Sequence, residues 1–161
     1  MIYSYRKAEQ AQKENIFKLY CLVMRDYISK IWGWDDQWQE NDFSSHFEPE
    51  GITLVYKEQE LAGYSHVENR GDQIFIRMIV VHPRHQHKGI GSKLLESVIA
   101  EGNEQSMNIG LEVFKINDEA KKFYERYGFN IEDETSSSYV MSLMPNPAFE
   151  RDCAKARRPL P

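Results

Sequence analysis

Cysteine is scarce: Cys21 and Cys153 are the only two in 161 residues, and they lie too far apart for the paired spacing of a structural zinc site or for a disulfide framework. Both are expected to be free thiols. No apolar run approaches the roughly 20 residues a bilayer span requires, and the opening MIYSYRKAEQAQ has no apolar signal-peptide region behind its charges. The expectation is a cytoplasmic protein with no membrane partner. A basic excess is missing too. Net charge is −5, with Lys and Arg mixed among acids nearly everywhere, so no field draws the chain to nucleic acid. The exception, RDCAKARRPLP, sets four basic residues against one acid, too few to argue such a contact. Residues 146–161 read as a loosely ordered tail.

What is present, 41% hydrophobic and 28% charged residues, is the composition of a globular protein long enough for one core. A single domain over residues 1–145 is expected. Residues 13–31 place Ile16, Phe17, Tyr20, Val23, Met24, Tyr27, Ile28 and Ile31 at helical spacing, which predicts a long amphipathic helix broken at Gly33. A short helix started by Asp35 follows and ends at Pro49 and Gly51. Strand-like runs begin at Ile52, Glu60 and Gln73, with turns at Glu58-Gln59 and Arg70-Gly71-Asp72 short enough for hairpins. Ile90, Leu94, Leu95, Val98 and Ile99 mark another helix over 88–103. MNIGLEVF is a buried strand, NDEAKKFYERYGF a helix capped by Asn117 or Asp118 and stopped at Gly128, and SSYVMSLM a last strand. A strand-helix-strand crossover over residues 73–113 makes the middle pair parallel, so the class is α/β (α+β), with a mixed sheet and helices on both faces.

Chemistry enters at VVHPRHQHKGIGSKLL, residues 80–95. QHKGIG joins a strand to a helix through two glycines, a turn that can aim unpaired backbone N–H groups at one point while the helix dipole adds positive charge there. That point suits phosphate, and glycine at 89 and 91 lets phosphate oxygens approach the backbone. Neither a P-loop nor a dinucleotide fingerprint fits: the lysine-hydroxyl pair is missing, and a third glycine would fall at Leu94. His82, His85 and His87 invite a metal reading. On an extended strand 82 and 85 point to opposite faces, no Cys, Asp or Glu lies in the loop, and neighbouring Lys and Arg repel a cation. No metal is expected, and each histidine reads as an exposed turn residue, His87 being the one within reach of phosphate.

With Gln86, Gly89 and Gly91, the stretch resembles the acetyl-CoA signature of the GNAT superfamily of N-acetyltransferases. LEVFKINDEAKKFYERYGF, residues 111–129, is similar to the family's second signature, and its Glu, Asn and Tyr match the spacing in bacterial ribosomal-protein N-terminal acetyltransferases. The resemblance spans about residues 52–144. It implies a mostly antiparallel sheet of six to seven strands with a cofactor cleft between two diverging central strands. It further implies acetyl-CoA as cosubstrate: Ile79, Val80 and Val81 hold pantetheine and the thioester carbonyl through their backbone, the amides of His87, Lys88, Gly89, Ile90, Gly91 and Ser92 hold the pyrophosphate, and Asn117 touches the pantetheine arm while capping its helix.

Acyl transfer to an amine needs a neutral amine, an oxyanion donor and an acid for the departing thiolate. The resemblance assigns the acid to Tyr124, which otherwise packs with Phe123 and Tyr127. It offers Glu112 as base, with a water chain as the alternative. In the family the region between the first two helices covers the acceptor side, and KIWGWDDQWQENDF holds all three tryptophans and four acids. Trp32, Trp34 and Asp35 are therefore acceptor candidates, set against the simpler role of cementing a short helix to the core. The expected activity is transfer of acetyl from acetyl-CoA to a primary amine of a small molecule or peptide, by direct attack in a ternary complex. The alternative is a non-catalytic acyl-CoA sensor or interaction module. Such proteins often form dimers, which leaves a homodimer open.

Overall fold

The computed structural model describes residues 2–146; the tail read above, Cys153 included, lies outside them from residue 147 on. Seven strands form one sheet: β1 (Ser4–Lys7), β2 (Ile52–Lys57), β3 (Glu60–Asn69), β4 (Gln73–Val81), β5 (Asn108–Phe114), β6 (Asn130–Glu134) and β7 (Ser138–Leu143), in the order β1-β2-β3-β4-β5-β7-β6. Only β4 and β5 pair in parallel. Four helices, α1 (Lys13–Ile31), α2 (Asp36–His46), α3 (Ile90–Gln105) and α4 (Asp118–Arg126), complete the fold.

The expected elements appear within a residue or two of their predicted ends, with two additions, β1 and β6. β1 was not foreseen: SYRK has no apolar alternation, and it becomes a strand because it pairs antiparallel with β2, Ser4 opposite Tyr56 through Lys7 opposite Thr53. An edge strand with charged, outward residues is a common way to close a sheet.

Helical and strand periodicities decide which face each element buries. Ile16, Leu19, Tyr20 and Ile28 of α1 pack on Ile52, Leu54, Tyr56, Tyr64 and Val80, with Phe43 of α2 beside them. On the opposite face Leu95, Val98 and Ile99 of α3 and Tyr124 of α4 pack on Ile74, Ile76, Ile109, Leu111, Val113 and Met141. Each large side chain so buried contributes about 1.5–3 kcal/mol. Helices thus cover both faces. Among the described residues no helix is long and apolar enough to cross a membrane.

Candidate active site

β4 and β5 share backbone bonds from Gln73–Asn108 to Ile76–Leu111 and no further. Past that rung β4 stays on β3, with Met78 opposite His66 and Val81 opposite Gly63, while β5 stays on β7, with Glu112 opposite Val140 and Phe114 opposite Ser138. The two strands therefore part, and their facing edges carry backbone groups without a strand partner, a template for an added extended ligand. A bulge marks the parting: pairing steps from His66–Met78 to Val67–Ile76, which leaves Arg77 as the extra residue on β4. Ile79, Val80 and Val81 line this edge. The Val80 side chain is core and those of Ile79 and Val81 are half-buried against the core, which leaves their backbone along the open edge.

The turn after β4 ends at the N-terminus of α3. His87 and Gly89 both adopt left-handed backbone, at φ 62° and 85°. No side chain caps α3, and its first internal bond is donated by Lys93 N to Gly89 O. The amides preceding Lys93 in the turn consequently point outward, bonded to nothing in the helix. Gly89 has open space where a Cβ would stand, and Gly91 faces Phe123 and Val81 at ordinary contact distances. Gln86 has a second role: its side-chain amide donates to Val81 O at 3.1 Å, tying turn to strand. Ile90 is buried and can offer only its amide, whereas Lys88 is exposed and Ser92 half-exposed.

Glu112 and Tyr124 flank the gap from opposite faces. Ile109, Leu111 and Val113 enter the core under α3 and α4, whereas Phe114 packs on the α1 side, so alternation puts Glu112 on that side too, where it is exposed. Tyr124 lies in the α3–α4 core against Phe123 and Phe129, at centroid distances of 5.2 and 5.6 Å. Burial pushes its phenol well above the usual tyrosine range, so it stays protonated near neutrality. Its hydroxyl has no hydrogen-bond partner among the described residues. Asn117 caps α4, its side chain accepting from Ala120 N at 3.1 Å, and keeps its amide N–H₂ as a donor.

Two histidine expectations are corrected. His82 and His85 do not sit on an extended strand with opposed side chains. Pro83–His85 form a single 3-10 turn, which brings the two rings to 5.8 Å, edge to face. Nor is His85 exposed: it is 6% accessible, with Nδ1 3.1 Å from Tyr3 Oη and Nε2 3.4 Å from Glu60, which also pairs with Arg84. This network braces the turn from Tyr3, just ahead of β1, and from Glu60 of β3. His87 is exposed and faces Glu119 of α4 at 3.6 Å. No group of three His, Cys, Asp or Glu side chains that could hold a metal occurs among the described residues.

The tryptophans divide. Trp34 packs in the α1 core beside Tyr20 and donates to Asp36, and Asp35 caps α2 by accepting from Trp38 N; both serve the local structure. Trp32 is 66% exposed and meets Phe114 edge to face at 5.7 Å, which holds it over the face of β5 that carries Glu112. Phe114 and Arg77 were not singled out from sequence. The signal for Arg77 was an arginine interrupting the apolar run IFIRMIVV.

The fold recurs in solved structures. The chain is similar to the PaiA N-acetyltransferase of Thermoplasma acidophilum in complex with coenzyme A, at 17% identity and TM-score 0.74, covering 89% of this chain and 99% of that one. It is similar to the ribosomal-protein-S18-alanine N-acetyltransferase of Escherichia coli, at 19% identity and TM-score 0.70, covering 89% and 94%. It is also similar to Arabidopsis thaliana Naa50 in complex with the bisubstrate analogue CoA-Ac-MVNAL, at 22% identity and TM-score 0.65, covering 89% and 99%. Comparison with curated proteins gives no match. The model of the acetyltransferase (GNAT) family matches residues 15–129, and the chain belongs to that family.

Proposed function

We propose that the protein is an N-acetyltransferase that moves acetyl from acetyl-CoA to a primary amine in a ternary complex. The observation that carries this reading is the parting of β4 from β5 beside a turn of unpaired amides. The residues present fit the coenzyme: an extended arm finds an unpaired strand edge, and a diphosphate finds a glycine-opened helix N-terminus. Bound there, acetyl-CoA supplies an activated thioester. The amides from His87 to Ser92 hold the diphosphate, the backbone of Ile79, Val80 and Val81 holds the arm and the thioester carbonyl, and Asn117 adds a side-chain donor.

Tyr124, kept protonated by burial, holds the proton that the departing sulfur takes. Glu112, on the opposite face, takes the proton from the incoming ammonium, directly or through water. Trp32 presents an exposed aromatic face beside Glu112, where a cation is attracted. Trp34 and Asp35 support the acceptor side indirectly, by fixing the α1–α2 corner. The similar Escherichia coli and Arabidopsis proteins are named for a ribosomal protein alanine and crystallised with a peptide analogue, which supports an amine on a peptide or small molecule as acceptor. Release of free thiol from acetyl-CoA over a panel of amines tests the proposal. Amine-dependent release is expected; tight coenzyme binding without release under any amine points to a sensor.

A further inference from the structure

A second concavity lies on the α1–α2 face beside the point where the strands part. Its floor is Tyr64 and His66 of β3 with Arg77 and Met78 of β4, and α1 and α2 wall it with Tyr20 and Phe43. The bulge shapes it: alternation from Ile76 puts Arg77 on this face, and the extra residue brings Met78 to the same face instead of the opposite one. The cavity measures about 60 Å³. A single buried water needs about 10–15 Å³ by the same measure, so the cavity has room for a small polar group such as a carboxylate.

Three of its polar groups, on β3 and β4, make no hydrogen bond among the described residues through the atoms named below. Arg77 is mostly buried, its side chain 27% accessible, and its one ionic neighbour among the described residues is Glu68 at 3.6 Å; Glu68 already accepts a hydrogen bond from Arg70 at 3.2 Å. Arg77 makes no hydrogen bond among the described residues, although a guanidinium carries five N–H groups. His66 is 7% accessible, and its Nε2 is buried without a hydrogen-bond partner. Burial, reinforced by Arg77, holds its imidazole down at about 4, so near neutrality it is uncharged. Tyr64 is 2% accessible and its hydroxyl makes no hydrogen bond among the described residues. One carboxylate, that of Asp42, also lines the cavity, on the α2 wall and 3.4 Å from His46 Nδ1.

A planar anion is the ligand that matches a guanidinium fork with neutral donors beside it. Arg77 follows the last β4–β5 rung and lies two residues, about 7 Å along the strand, from Ile79. One small molecule can therefore reach both the cavity and the gap. We propose that this cavity seats a carboxylate of the acceptor, so that the amine acetylated belongs to an amino-carboxylate. This rests on the acetyltransferase reading above.

The test compares acceptor pairs identical except for carboxylate or carboxamide, on wild type, Arg77→Gln and Arg77→Lys. Wild type should favour the carboxylate by roughly 10- to 100-fold in kcat/KM, the worth of hydrogen bonds to a charged group, with the difference in KM. Arg77→Gln should erase the preference and Arg77→Lys restore part of it. Equal use of both acceptors by wild type, or a preference that survives Arg77→Gln, overturns the seat while leaving the acetyltransferase reading intact. Absence of turnover with every amine tried counts against that reading instead. The seat is then read by the His66 ring resonances during titration with the carboxylate member: movement of those resonances that Arg77→Gln abolishes supports it, and no movement overturns it.

Discussion

Ile76 and Leu111 form the last rung between β4 and β5, and the bulge residue Arg77 follows immediately. Everything proposed for the site depends on that rung being the last. Extending the pairing by three residues would cover the backbone of Ile79 and close the gap, whereas stopping there leaves one strand edge for a coenzyme and one bulged side chain for an acceptor.

The two turn glycines should separate strain from access. Gly89 has a positive φ and open space around it, so Gly89→Ala should cost about 1–2 kcal/mol of stability from left-handed backbone and weaken acetyl-CoA binding. A Cβ at Gly91 meets only ordinary contacts, so Gly91→Ala should keep the wild-type Tm. Its coenzyme affinity, measured by calorimetry, should still drop roughly tenfold or more through lost amide–phosphate approach. Unchanged affinity in both variants would remove the phosphate role of the turn.

Tyr124→Phe removes a hydroxyl that has no hydrogen-bond partner among the described residues, so little stability should be lost. Turnover should fall by roughly 10²- to 10⁴-fold, the usual worth of a general acid, with acetyl-CoA affinity nearly preserved. Equal turnover assigns protonation of the sulfur elsewhere.

Glu112→Gln should lower kcat near neutrality and recover as the pH approaches the acceptor's own pKa of about 10, where solution supplies the free amine. A pH profile that overlays wild type would hand deprotonation to water alone.

His66 links the acceptor cavity to acid stability. Its folded value of about 4 lies below the unfolded value of about 6.5, so between the two the unfolded chain binds a proton that the folded chain refuses. The stability tied to neutral His66 is complete above about 6.5 and drains as pH falls towards 4, by up to about 1.4 kcal/mol per pH unit. Urea unfolding at about pH 7 and about pH 5 should show a smaller loss in His66→Phe than in wild type. Parallel losses would mean that His66 titrates normally in the fold.

Periodicity made the four helices and most strands legible, because α1, α3 and the central strands each bury one continuous apolar stripe. β1 escaped because SYRK earns its place by pairing with β2, a long-range event with no local pattern. The turn of the site was readable from Gln86, Gly89 and Gly91, whose spacing is itself the chemistry. His85 was misjudged because Pro83 opens a 3-10 turn where a strand was assumed, and Tyr3, 82 positions away, completes its burial. The place of Arg77 was only half legible for a related reason: alternation puts it on the face opposite Ile76, but a bulge is fixed by the register of two strands, and only that register sets Arg77 and Met78 side by side on one face.

The most direct test of the central claim is the backbone amide NMR spectrum of the full chain titrated with acetyl-CoA. The largest shifts are expected at Gly89, Ile90, Gly91 and Ser92 and along Ile79 to Val81, on both sides of one gap. Shifts confined to other surfaces, or none at saturating acetyl-CoA, would contradict the account.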